Sequence, residues 1–107
     1  MEFIIIYCTT PNRKEGVEIA KALIENNLAA CVNILDKVES IFSWDGELTE
    51  EKEAMLVIKT RKELFLKVNI MIQKLHSYNV PEVIAIPIID ADETYLKWIA
   101  HETEQPL

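Results

Sequence analysis

Residues 75–82 read Leu-His-Ser-Tyr-Asn-Val-Pro-Glu. His76, Ser77, Tyr78, Asn79 and Glu82 put an imidazole, a hydroxyl, a phenol, an amide and a carboxylate into one short span, and the Pro81 carbonyl is a further acceptor. The span joins an apolar helical pattern to an apolar strand pattern. Loops held between rigid elements carry a large share of protein function. Imidazole beside carboxylate suits proton transfer or metal ligation, and a nearby thiolate would tilt the choice toward copper. The plainer alternative is a helix exit. In it His76 faces the helix dipole, Asn79 takes the left-handed conformation and Pro81 blocks continuation.

The elements that must position this span follow from the apolar periodicity. Phe3 to Cys8 is a short β-branched and aromatic run, which predicts a central strand buried on both faces. Thr10 as cap and Pro11 at the first helical position predict a helix running to about Asn26, with Val17, Ala20, Leu23 and Ile24 inward. Gly16 within it costs about 1 kcal/mol relative to Ala. Residues 28–44 are extended, with Val32, Ile34, Val38, Phe42 and Trp44 on one parity and a bend or bulge over residues 35–37. Asp45-Gly46 is a two-residue hairpin signal. The returning strand, residues 47–60, is acidic in its first half and apolar in its second. Thr60-Arg61-Lys62-Glu63 has capping-box spacing for a second helix with Leu64, Phe65, Val68, Ile72 and Leu75 on one face. Residues 83–89 form a further strand, placed at an edge by Pro87. Asp90 to Glu93 offer caps for a last helix with Tyr95, Trp98 and Ile99 inward, and the tail frays from Glu102.

This order, β-α-β-β-α-β and then a helix, predicts one α+β domain over residues 1–107. Its fold is ferredoxin-like, with an antiparallel sheet in the order 4-1-3-2, a long hairpin between strands two and three, and an extra C-terminal helix. The fourth strand then lies beside the first, so Cys8 and the loop from His76 to Glu82 become neighbours. Cys31 starts the second strand away from them, which excludes a Cys8–Cys31 disulfide. The hairpin arms outrun the other strands by roughly 20 Å at about 3.3 Å per residue. A lone two-stranded ribbon is marginal in water. Phe42 and Trp44 on it therefore call for a neighbouring subunit.

Composition narrows the classes. The chain has 107 residues, half of them hydrophobic, with two glycines and four prolines, the profile of a single globular domain. A net charge of −7 argues against nucleic acid, whose binding rests on Lys and Arg neutralising phosphates. No apolar run approaches the about eighteen residues of a membrane-spanning helix. The start, Met-Glu-Phe-Ile-Ile-Ile, has no signal-peptide pattern, so the expected location is cytoplasmic. Two cysteines are too few for a disulfide scaffold.

Six blocks in this order resemble the CutA family of divalent-cation tolerance proteins, and the resemblance covers nearly the whole chain. They are Cys8-Thr9-Thr10-Pro11, Leu28-Ala29-Ala30-Cys31-Val32-Asn33, Ser40-Ile41-Phe42-Ser43-Trp44-Asp45-Gly46-Glu47, Ile58-Lys59-Thr60, the 75–82 span, and Tyr95-Leu96-Lys97-Trp98. The resemblance implies a homotrimer, similar in architecture to the PII signalling proteins and associated with tolerance of copper and other divalent cations. It implies no enzymatic reaction. It implies copper contacts at Cys8 and His76. Leu75 stands where some members carry a second histidine, Ser77 where proline is common and Gly16 where alanine is common.

Three functions compete on these residues. A metal-responsive trimer would bind Cu(II) or another divalent cation, weakly or transiently, at Cys8 and His76, with Glu82 completing the set. A PII-like module would hold a small molecule in an inter-subunit cleft, with Lys59, Tyr78 and Trp98 as lining candidates. An enzyme would use His76 with Cys8 or Glu82, but no oxyanion site or phosphate loop accompanies them. The reading carried forward is a trimeric, non-enzymatic, metal-responsive protein with Phe42 and Trp44 in its interface.

Overall fold

The computed structural model describes residues 1–106. β1 (Phe3–Thr10), α1 (Arg13–Glu25), β2 (Cys31–Trp44), β3 (Glu47–Arg61), α2 (Phe65–Leu75), β4 (Ile84–Pro87) and α3 (Glu93–Glu102) follow in order, with a 3₁₀ turn over Lys62–Leu64 leading into α2. The sheet is antiparallel in the order β2-β3-β1-β4, the expected α+β arrangement. Ile4, Ile6 and Cys8 of β1, with Leu56 and Ile58 of β3, meet Ile19 and Leu23 of α1 and Val68 and Ile72 of α2 in the core.

Only one face of β1 is buried in this way. Phe3, Ile5 and Tyr7 alternate with the core residues and are half-buried. Their cross-strand neighbours are Lys59 and Val57 on β3 and Ile86 and Ile84 on β4, and Ile84 and Ile86 are exposed. The expectation of a doubly buried strand therefore fails within one chain, because both long helices pack on the same side of the sheet. β4 is an edge strand, as Pro87 requires.

The bulge lies where the pattern broke, and it changes the faces. Leu35 pairs with Met55 and Val38 with Glu53, so Asp36 and Lys37 stand opposite Ala54 alone. Lys37 takes the left-handed conformation at φ 59°. One extra residue inverts the alternation of everything beyond it. Val32 and Ile34 pack on the helix-covered core. Phe42 and Trp44, of the same parity, instead share the helix-free side with Thr49 and Glu51. Asp45 and Gly46, at φ 50° and 80°, close the two-residue turn. Beyond Ala54 the hairpin is a two-stranded ribbon with Ile41, Trp44 and Leu48 exposed.

Local boundaries differ from expectation where side chains found other partners. Asn12, not Thr10, caps α1, its Oδ1 accepting from Glu15 N at 2.8 Å. Thr10 stays in β1 and donates its hydroxyl to Asn12 O at 2.8 Å. Thr60 is no cap either; it is buried and donates to Leu28 O at 2.6 Å. Gly16 has a steric reason, since a Cβ there would stand 3.0 Å from Thr10 Oγ1 and 3.1 Å from Leu56 Cδ2. Ile19 takes the inward place given to Ile24, which is exposed, as is Leu75 at the end of α2. Tyr95 and Trp98 are exposed, and Ile99 alone anchors α3 in the core. The tail does not fray at once, because Arg61 Nε donates to Thr103 Oγ1 at 2.9 Å and Thr103 is buried. Leu107 lies outside the described residues.

Candidate functional site

β1 delivers Cys8 and Thr9 to the end of the sheet where α2 stops. α2 ends at Leu75, and His76 N–H closes its last turn on Ile72 O at 2.8 Å. His76 is already extended, so its ring leaves the helix axis and enters the protein, where the side chain is fully buried. This is not a dipole-facing helix exit, and Asn79 is not left-handed. His76 Nε2 lies 2.7 Å from Thr9 O, and Cys8 Sγ lies 3.7 Å from the same carbonyl. Thiol and imidazole thus converge on one oxygen, as the strand order required.

The ring's protonation follows from its partners. Tyr78 N–H donates to Nδ1 at 3.0 Å, so Nδ1 is the bare nitrogen and Nε2 carries the proton that Thr9 O accepts. Glu15 Oε2 also lies 3.4 Å from Nδ1. In this tautomer that contact is no ion pair, because the lone pair of Nδ1 is taken by Tyr78 N–H. Glu15 Oε2 instead accepts from Ser77 N at 3.1 Å and Ser77 Oγ at 3.0 Å, which ties the loop to the first turn of α1.

Carboxylates crowd this corner. Burial pushes the Cys8 thiol up to about 12, and Glu82, Glu15 and Glu53 push the same way. Glu82 is itself held above the usual carboxylate range by burial and then by Glu53. Tyr78 donates its hydroxyl to Glu53 Oε2 at 2.9 Å, and burial together with that carboxylate raises the phenol. A groove of about 730 Å³ opens beside the corner, between the loop and the ribbon. Tyr78, Glu82, Phe42 and Trp44 line it. Among the described residues, no three His, Cys, Asp or Glu side chains are already arranged around a metal-sized point.

Lys59 and Trp98 belong elsewhere. Lys59 pairs with Cys31, bonds Asn33 Oδ1 and places Nζ 3.9 Å from Cys31 Sγ. Trp98 stacks obliquely near Tyr95 on α3, with ring centroids 5.5 Å apart. Within one chain these two do not join Tyr78. Both cysteines are free, as expected. Sequence reasoning missed Glu15, because its spacing from Asn12 is that of a capping-box glutamate. It also missed Thr9, whose carbonyl rather than its side chain organises the corner.

A family model described as CutA1 divalent ion tolerance protein matches residues 4–102. The chain belongs to the CutA1 family. It is 40% identical over 99 residues to the divalent-cation tolerance protein CutA of Thermus thermophilus, covering 92% of this chain and 96% of that one. It is 40% identical over 100 residues to the chloroplastic CutA protein of Arabidopsis thaliana, covering 94% of this chain but 55% of that one. The chain therefore spans about half the length of that plant relative. The crystal structure of CutA1 from Oryza sativa superposes with a TM-score of 0.96 at 38% identity, over 99% of this chain and 97% of that one. The family is described by tolerance of divalent ions and not by a reaction. No helix among the described residues is long and apolar enough to cross a membrane.

Proposed function

We propose that this chain assembles as a homotrimer and binds Cu(II) or a similar divalent cation, weakly, at the corner formed by Cys8, His76 and Glu82. One observation carries the reading. The Cys8 thiol and the His76 ring share the Thr9 carbonyl, and Glu82 lies close enough to raise the thiol. Thiolate, imidazole and carboxylate suit a soft or borderline divalent ion, so the donor types fit. A bound cation would neutralise the repulsion among these carboxylates. It must also displace the Cys8 proton, which is why affinity should be modest and protons should be released.

The helix-free face of the sheet supports the trimer. Leu35, Ile84 and Ile86 are exposed there beside half-buried Ile5, Tyr7 and Val57, and Trp44 is exposed on the ribbon. An apolar sheet face of this kind calls for cover. Sedimentation equilibrium should return three times the 12.3 kDa chain mass; a stable monomer at micromolar concentration would overturn the trimer. Trp44→Ala should weaken assembly by about 2 kcal/mol or more.

Calorimetric titration with Cu(II) tests the site. Cys8→Ser and His76→Ala should each weaken binding, and the double variant should lose little more than the worse single one. Binding should also weaken steadily as pH falls, because the ion must displace the Cys8 proton. If Cys31→Ser abolishes binding while Cys8→Ser preserves it, the assignment is wrong. A second reading, a small molecule held as in PII proteins, is favoured by the groove between Tyr78 and Trp44. A nucleotide panel in the same calorimeter separates the two. Cytoplasmic residence belongs to this proposal.

A further inference from the structure

Phe42, Trp44 and Tyr78 share the groove beside the ribbon with Glu51, Glu53 and Glu82, and no Lys, Arg or His lines it. Glu51 and Glu53 lie on one face of β3, opposite Ser40 and Val38, and Thr49 continues that face opposite Phe42. Lys52 alternates onto the other face, opposite Glu39. Among the described residues, no ion pair reaches any of the three acids. Glu53 is 7% exposed, and among the described residues its carboxylate is bonded by the Tyr78 hydroxyl alone. A buried carboxylate that faces a cavity with no cation is a cost to the fold. We propose that this groove binds a linear alkyl polyamine, with ammonium groups at Glu51 and Glu53 and the methylene chain along Phe42, Trp44 and Tyr78. This rests on the reading that the groove holds a small molecule, and it names the class.

Geometry selects that class. Residues two apart on one strand face stand about 7 Å apart. A single metal ion, held by oxygens at about 2.0–2.6 Å, does not bridge that gap, and two ammonium groups joined by a short chain do. Ammonium groups are drawn to aromatic faces, and an alkyl chain takes apolar ring surface out of water. The volume of about 730 Å³ lies within the range of small-molecule sites.

Charge excludes the other occupants. The phosphates of a nucleotide need cationic partners, and three acids repel them. A second copy of the chain, at net charge −7, brings more acid than base to the same place. The groove also carries the strain of its unanswered charge. Burial first, and then Glu53, raises both Glu82 and the Tyr78 phenol. An ammonium beside Glu53 relieves both.

Calorimetric titration of the full chain with spermidine tests this, together with ¹H–¹⁵N spectra of the indole N–H groups. Spermidine should bind and shift the Trp44 indole signal. Glu51→Gln and Glu53→Gln should each weaken binding about tenfold or more. Glu50→Gln, which removes the same charge from the other face of the ribbon, should bind like wild type. Phe42 and Trp44 stay intact in every variant, because the assembly proposed above uses Trp44. The inference is overturned if Glu50→Gln weakens binding as much as Glu51→Gln, since spermidine then follows acidity in general. It is also overturned if saturating spermidine leaves the wild-type Trp44 signal unmoved, a measurement that stands even if a variant fails to fold. If ATP moves that signal and spermidine does not, the groove reading survives and this inference falls. If neither moves it, both fall, and the groove is left to a neighbouring subunit.

Discussion

Cys8 and Cys31 are the same side chain in opposite company. Cys8 shares a row of the sheet with Leu56 and Ile34, faces the helix-covered core and has three glutamates around it. Cys31 shares a row with Lys59 and Ile5 on the other face, is half-buried and has an ammonium 3.9 Å away. An acidic, desolvated setting keeps a thiol protonated unless a cation takes the proton's place. Cys31 is the more accessible of the two thiols, half-buried where Cys8 is fully buried. The contrast shows that a thiol count says little about thiol chemistry; burial first, and then the charge of the neighbours, sets the behaviour of Cys8.

The largest expected effect is on reactivity. Raising Cys8 from 9.0 to about 12 cuts its thiolate fraction about a thousandfold at neutral pH, before burial is considered. Alkylation of the native protein followed by mass spectrometry should therefore label Cys31 first, and Cys8 only on unfolding. Similar rates for the two would break the comparison.

The next effect is on stability at the acidic end. Tyr78→Phe removes the hydroxyl that serves buried Glu53 and should cost about 1–3 kcal/mol in denaturant melts, the range for a buried group that loses its partner. At the other end, Lys59→Met removes only a part-exposed donor to Asn33 and should cost under about 1 kcal/mol. If the two losses are equal, burial does not distinguish the ends.

The smallest effect sharpens the comparison through pH. Glu82 has a raised folded-state pKa, so the folded protein holds this proton more tightly than the unfolded chain does. Its contribution is most favourable below the ordinary carboxylate value of 4.5 and is lost as pH rises through the folded value. Glu82→Gln should therefore stabilise the protein at pH 7, by less than about 1 kcal/mol, and the gain should vanish near pH 4. A loss at pH 7 would mean that Glu82 is held by a partner that repays its burial.

The strand order, the edge strand and the Asp45-Gly46 turn were legible because each follows from local chemistry: apolar alternation, a proline without an N–H, two residues that accept positive φ. The approach of His76 to the end of β1, beside Cys8, followed from connectivity alone. Other features were hidden because they depend on what lies across the chain. Thr10 and Thr60 look like caps until their hydroxyls are seen bonded to the Asn12 and Leu28 carbonyls. Glu15 looks like a capping glutamate until Ser77 claims it. Thr9 contributes through its backbone, and residue type cannot report a carbonyl. Lys59 and Trp98 were grouped with Tyr78 by polarity, and no sequence signal separated them.

The bulge at Asp36-Lys37 has a consequence for length. Deleting Lys37 removes the extra residue and the bulge together. Residues 38–44 then keep their partners on β3, and Phe42 and Trp44 stay on the groove side. The place is a length reserve in the strand, where one residue can be lost without turning the ribbon over.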